Sequence, residues 1–191
     1  MATPARPDLR QALYDAYREV PDHQRAEIID GTLYVSPRPS PRHANAATGL
    51  GSELHGSFQR GRGGPGGWWI LFEPELQLIA LEPMAPDLAG WRVERMPELP
   101  DTAYFTLVPD WVCEVLAKST AHIDRDKKLP IYAAHGVAHV WLIDPIEKTL
   151  EVHALIDRKV RTYAGDTRVR ADPFAAIELD LAALWSSPRT A

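Results

Sequence analysis

The chain has 191 residues, and its 21 Lys and Arg against 26 Asp and Glu leave a formal net charge of −5. That length suits a single domain, with its core expected over about 20–185, and a hydrophobic fraction of 45% excludes a chain that is disordered throughout. The longest fully apolar run, Trp68–Phe72, is far short of the ~20 residues that span a bilayer. No charged start followed by an apolar core opens the chain, so the expectation is a cytoplasmic protein without a membrane partner.

One cysteine, Cys113, excludes an internal disulfide framework and a cysteine-based zinc site. The acidic balance lacks the basic surplus of a protein that coats nucleic acid. Contact with nucleic acid would need a local patch, for which Arg38, Arg42, Arg60 and Arg62 are candidates, although ordinary solvation accounts for them.

In chain order, Leu9, Ala12, Leu13, Ala16, Tyr17 and Val20 repeat at helical spacing, with Asp8 as the expected cap and Pro21 as the stop. Arg25–Ser36 reads as a hairpin turning at Asp30-Gly31. A second helix begins at Pro41, and its Gly49 and Gly51 suit close approach of another element. Gly61–Gly67 is a glycine-rich connection. Strands are expected at Trp68–Phe72, Glu75–Leu81, Asp87–Val93 and Trp111–Leu116, with a loop over 94–109. A helix over 122–135 contains Pro130, which predicts a kink or a late start, and Gly136 ends it. Strands at His139–Ile143, Leu150–Leu155 and Val160–Ala164 and a short helix near 180–185 complete the chain. Without regular βαβ alternation, the pattern predicts a mixed α/β fold: a curved, largely antiparallel sheet flanked by helices, preceded by a helix and a hairpin.

No phosphate-binding GxxxxGK[ST], HExxH or GxSxG motif occurs. His135 and His139 lie four apart but are separated by Gly136, which favours end-capping or surface roles over metal binding. The chemical signal is acidic. Asp87 opens one strand after Pro86. Glu114 lies inside Trp111-Val112-Cys113-Glu114-Val115-Leu116, whose two faces are both apolar, so the strand is expected to be central. A carboxylate there must be paired or hold a metal. Farther on, Asp124, Lys128 and Tyr132 share a helix face at i, i+4 and i+8. Two strand carboxylates and a lysine are the parts of a metal-dependent phosphodiesterase.

These segments resemble the Uma2 family, nuclease-like proteins assigned to the PD-(D/E)XK fold. The resemblance is carried by Ala26-Glu27-Ile28-Ile29-Asp30-Gly31, Ser40-Pro41-Arg42-His43, Pro86-Asp87-Leu88, Val108–Leu116, Ser119-Thr120, Asp124…Lys128…Tyr132, Gly136-Val137 and Trp141–Pro145. It implies a core sheet of about four strands of restriction-endonuclease-like type and Mg²⁺- or Mn²⁺-dependent cleavage of nucleic acid, DNA in the first place. It also implies a site in which Asp87 and Glu114 hold the metal, Lys128 is the catalytic cation and Glu27 is an additional acidic residue. In the simplest form of that fold the lysine stands two positions after the acid, where this chain has Leu116. Where the family usually has Ser-Pro, this chain has Ala117-Lys118, which makes Lys118 a second candidate.

A catalytically silent nuclease fold serving as a binding or assembly module is the alternative. A two-carboxylate glycoside hydrolase using Asp87 and Glu114 is a remoter one and would need Trp68, Trp69 or Trp91 to line a sugar cleft. A nuclease that cuts both strands is expected to be a homodimer, with the 94–109 loop and a Trp68–Leu81 hairpin as candidate surfaces.

Overall fold

The computed structural model describes residues 7–185. Helix α1 (Pro7–Arg18) precedes a hairpin of β1 (Gln24–Ile29) and β2 (Thr32–Pro37). The hairpin turns at Asp30 and Gly31, whose φ angles of 52° and 66° give the mirror-image turn that matches strand twist. Helix α2 (Pro41–Leu54) starts with Pro41 in its first turn behind the Ser40 cap and runs on into a π turn at His55–Gln59.

The main sheet comprises β3 (Trp68–Phe72), β6 (Leu88–Arg92), β7 (Trp111–Val115), β8 (His139–Asp144), β9 (Thr149–Ala154) and β10 (Lys159–Ala164). Its spatial order is β10-β9-β8-β7-β6-β3. Only β7 and β8 are parallel; every other neighbouring pair is antiparallel. A parallel pair needs a crossover. Here it is a helical rod made of α3 (Ala121–Ile123), a π turn (Asp124–Lys128) and α4 (Leu129–Ala134). Pro130 does not break the rod. It stands just after the π turn, where the Leu129 N–H already reaches back to the Asp124 carbonyl, and the wider turn absorbs a residue with no N–H to give.

Two expectations are corrected. β4 (Leu76–Ile79) does not pair with β3 as a Trp68–Leu81 hairpin: β3 pairs with β6, while β4 pairs with β5 (Glu82–Met84) in a separate ribbon. Pro74 and the left-handed Glu73 turn the chain away between them. The sheet has six strands rather than about four, because β9 and β10 add a hairpin to its far edge. β11 (Arg168–Val169) and β12 (Leu179–Asp180) form a further short ribbon, and α5 (Ala182–Trp185) packs on α2. No helix among the described residues is long and apolar enough to cross a membrane.

Each face of the sheet carries its own core. One face packs Trp111, Cys113 and Val115 with α2 and the 171–184 segment; the other packs Val112 and Leu116 with Tyr132, Trp91 and Leu142. The alternation expected for β7 therefore holds, and Cys113 is a buried small hydrophobe. Gly51 lets the Phe72 ring lie against α2: an added Cβ would come 2.0 Å from the ring tip, and the ring would have to move. Phe174 plugs the first face and is fully buried. Its ring centroid lies 4.6 Å from Phe58, 5.0 Å from Trp68, 4.9 Å from Trp111 and 5.6 Å from Trp141. The Trp141 indole N–H donates to the Asp172 carbonyl and fastens that segment. Phe174→Ala should therefore cost about 3–5 kcal/mol, to be read as a lowered midpoint in denaturant unfolding; a loss below about 1 kcal/mol would show that this segment is not part of the cooperative core.

Candidate active site

The site forms where β6 begins and β7 ends. The register pairs Leu88 with Cys113 and Ala89 with Val112. Continued by one step, it sets Asp87 opposite Glu114. The crossover rod then lays Lys128 and Tyr132 over Glu114, and the β1–β2 hairpin closes the other side with Arg25 and Glu27. Arg25, Glu27, Asp87, Glu114 and Lys128 line an open cleft together with Asp124 and His43, and Tyr132 reaches Glu114 without lining it.

Asp87 is nearly saturated. Its Oδ1 lies 3.0 Å from Arg25 Nη1 and 2.8 Å from His43 Nε2, and its Oδ2 accepts the Val115 N–H at 2.7 Å. Burial works to raise its pKa, but His43, Arg25 and the Val115 amide outweigh it and hold the carboxyl below its ordinary range.

Glu114 is in the opposite condition. Lys128 Nζ lies 2.7 Å from its Oε1, and the Tyr132 hydroxyl donates to the same oxygen at 2.6 Å. Lys128 also reaches Glu27 Oε1 at 2.9 Å and Asp124 Oδ1 at 3.7 Å, and Glu27 is pinned by the Ala85 N–H at 2.8 Å. Burial pushes Glu114 up to about 8: Lys128 opposes the shift, and Asp124, Asp87 and Glu27 reinforce it. Asp124 is pushed up to about 6, again by burial. Burial alone would strip Lys128 of its proton, but Glu114 and Glu27 hold its pKa well above the ordinary value, so it stays an ammonium.

A charge count adds to the effect of burial. Four carboxylates (Glu27, Asp87, Glu114 and Asp124) line the cleft against two fixed cations, Arg25 and Lys128. The cluster is short of positive charge, and it retains a proton on Glu114 in compensation. Hard carboxylate oxygens in such a deficit suit a divalent cation. The residues that would hold one are Glu114, through Oε2, which takes neither the Lys128 nor the Tyr132 bond, and Asp87, where Arg25 and His43 already share Oδ1. Among the described residues no group of three or more His, Cys, Asp and Glu side chains is arranged as a ready cage.

All four expected residues, Asp87, Glu114, Lys128 and Glu27, thus meet in one cleft, and Asp124 and Tyr132 join them as their helical spacing foretells. Lys118 lies exposed on the connection after β7 and does not line the cleft. The tryptophans needed for a sugar site are elsewhere. Trp91 stacks on Phe105, Trp69 donates to the Met96 carbonyl, and Trp68 packs against Phe174 beneath Arg92. His135 caps its own helix through the Ile131 carbonyl. Sequence reasoning assigned no role to Arg25 or His43. The only hint of His43 was its place in Ser40-Pro41-Arg42-His43, and a lone arginine at a strand start gives no signal.

The mixed sheet flanked by helices, with acids at adjoining strand ends, is similar to the fold of a solved nuclease-like protein. A crystal structure from Anabaena variabilis, described as a putative nuclease belonging to DUF820, superposes with a TM-score of 0.72 at 22% identity, covering 91% of this chain and 97% of that one. The family model for Uma2, described as a putative restriction endonuclease, matches residues 12–183, and the chain belongs to that family. No curated protein matches it.

The raised carboxyls make stability depend on pH in a defined direction. Glu114 ionises near 4.5 when unperturbed but at about 8 when folded. Between those values the folded chain keeps a proton that the unfolded chain has lost, so stability falls as pH rises. Asp124 acts the same way between 3.8 and about 6. Asp87 and Lys128 complete their contributions outside this window, below and above it respectively. Without divalent ion, the unfolding free energy should drop from about pH 5 to pH 8, by an amount on the order of a few kcal/mol, read as a falling denaturant midpoint. Glu114→Gln should flatten the drop, and a midpoint that rises over this range would overturn the charge assignment.

Proposed function

We propose that the protein is a metal-dependent endonuclease that hydrolyses phosphodiester bonds, with DNA as substrate, Mg²⁺ or Mn²⁺ as cofactor and a homodimer as the working form. The observation that carries this reading is the convergence, from four separate elements, of Asp87, Glu114, Glu27 and a buried lysine in one solvent-open cleft where carboxylates outnumber cations.

When bound, a divalent ion would polarise a phosphoryl oxygen and acidify a water molecule. Glu114 and Asp87 are its carboxylate donors. Binding there would complete the charge balance and release the proton held on Glu114. Lys128 presents its ammonium at the same spot. Glu114 and Glu27 fix its direction, so its hydrogens meet the attacking water or the charge that gathers on the phosphoryl oxygens without prior reorganisation. Glu27 serves by positioning, since one oxygen binds both Lys128 and the Ala85 amide. Tyr132 holds Glu114 in orientation, and Arg25 with His43 keeps Asp87 ionised.

A second reading, a silent fold used for binding or assembly, is favoured by one observation: Asp87 already has three donors and the Glu114–Lys128 pair is closed on itself. A nicking assay on plasmid DNA with Mg²⁺ or Mn²⁺, run beside calorimetric metal titration, separates the two. Wild type should nick, Asp87→Asn should lose metal affinity, and Lys128→Ala should lose about 10²–10³-fold in rate. Because Lys128→Ala leaves buried acids unpaired, its fold is checked by thermal melt. Lys118→Ala should stay near wild type. Metal binding without cleavage would leave the silent module, and a dead Lys118→Ala beside an active Lys128→Ala would move the lysine's role to the strand-end connection.

A further inference from the structure

We infer that the groove beside the acidic cleft is a binding site for a phosphate oxyanion, namely a backbone phosphate of the strand being cut; in that form it rests on the nuclease reading above. The groove lies between the β2–α2 loop and the connection after β7. Its polar wall is Arg25, Arg38, Ser40, His43, Ser119 and Thr120.

The charge pattern is the argument. Four carboxylates line the neighbouring cleft, and none lines this groove, although the chain as a whole carries more acids than bases. Arg25, Ser36, His43 and Thr120 belong to both walls, so the two spaces adjoin. An acidic space suited to a metal ion thus borders one with guanidinium and hydroxyl donors suited to an anion. A phosphodiester chain needs both: a metal at the bond that breaks and fixed donors on a neighbouring phosphate, which set register without reading sequence.

The groove is also built rather than loose. Pro37, Pro39 and Pro41 stiffen the β2–α2 loop, which lowers the ordering cost of binding. Arg38 is tethered through one nitrogen to the Asp22 carbonyl, and its planar fork has further N–H donors to offer. On the shared wall, His43 is only 7% exposed and its Nε2 is held on Asp87 Oδ1, which fixes the imidazole in place.

Arg38→Glu tests the inference, because Arg38 is exposed and lines only this groove. Inorganic phosphate titrated by calorimetry should bind wild type and fail to bind the variant. A fluorescent DNA duplex followed by anisotropy should lose about tenfold or more in affinity, and the slope of log K against log salt should shrink by about one. The loss in cleavage should fall on KM more than on kcat. Mg²⁺ affinity, measured on the same protein, should be retained. Phosphate binding lost in the variant while wild type neither binds nor cuts DNA would keep the anion site and end the nuclease reading. Wild type that binds no phosphate, a variant that binds phosphate and duplex as wild type does, or a variant that loses Mg²⁺ along with phosphate would overturn the assignment.

Discussion

Everything in the site is arranged around one buried ammonium. Lys128 is 1% exposed, and an unpaired charge at that depth would shed its proton. It stays charged because Glu114, Glu27 and Asp124 surround it. Those three acids come from β7, β1 and the helical rod, so the cation ties a central strand, a hairpin and a crossover together. Buried ion pairs seldom add net stability over well-packed apolar groups. What this one supplies, with the Tyr132 hydroxyl on Glu114, is a fixed spatial relation among the three elements.

The same constraint explains why the cleft is short of positive charge. One lysine serves three carboxylates, and Arg25 with His43 attends to the fourth, Asp87. A fold needing only stability would pair acids and bases evenly or use apolar residues. The surplus acid, with Glu114 holding a proton up to about pH 8, is a cost the structure bears locally. Strain and uncompensated polarity of this kind gather at functional sites.

Much of this was legible in the residues. The apolar faces on both sides of Glu114 disclosed a central strand and a carboxylate with something to bind. The i, i+4, i+8 spacing of Asp124, Lys128 and Tyr132 survived even the π turn, since all three reach the cluster. The dipeptide Asp30-Gly31 marked its hairpin through the φ > 0 that such a turn demands. Strand partnership was not legible. Trp68–Phe72 and Glu75–Leu81 look like consecutive hairpin strands, but pairing is decided by which apolar faces meet across the sheet, and Glu73-Pro74 redirects the chain. Nor did any local pattern reveal Arg25, His43 or Phe174. Their importance arises from neighbours 44 or more positions distant for the first two, and from four aromatic rings for the third.

The π turn at Asp124–Lys128 carries a consequence for the chain's history. Such a turn holds one residue more than an α turn, and near Pro130 a shorter, regular helix would be the easier local structure. Removing a single residue between Asp124 and Lys128 would supply it and would nearly keep the phase, because seven steps of about 100° return Tyr132 to within about 20° of the Asp124 face. Eight steps of regular helix would instead overshoot that face by about 80°, and the wide turn takes up the difference. The turn thus has the form of one inserted residue whose rotation is absorbed locally, so that Asp124 before it and Tyr132 after it still address the same cluster.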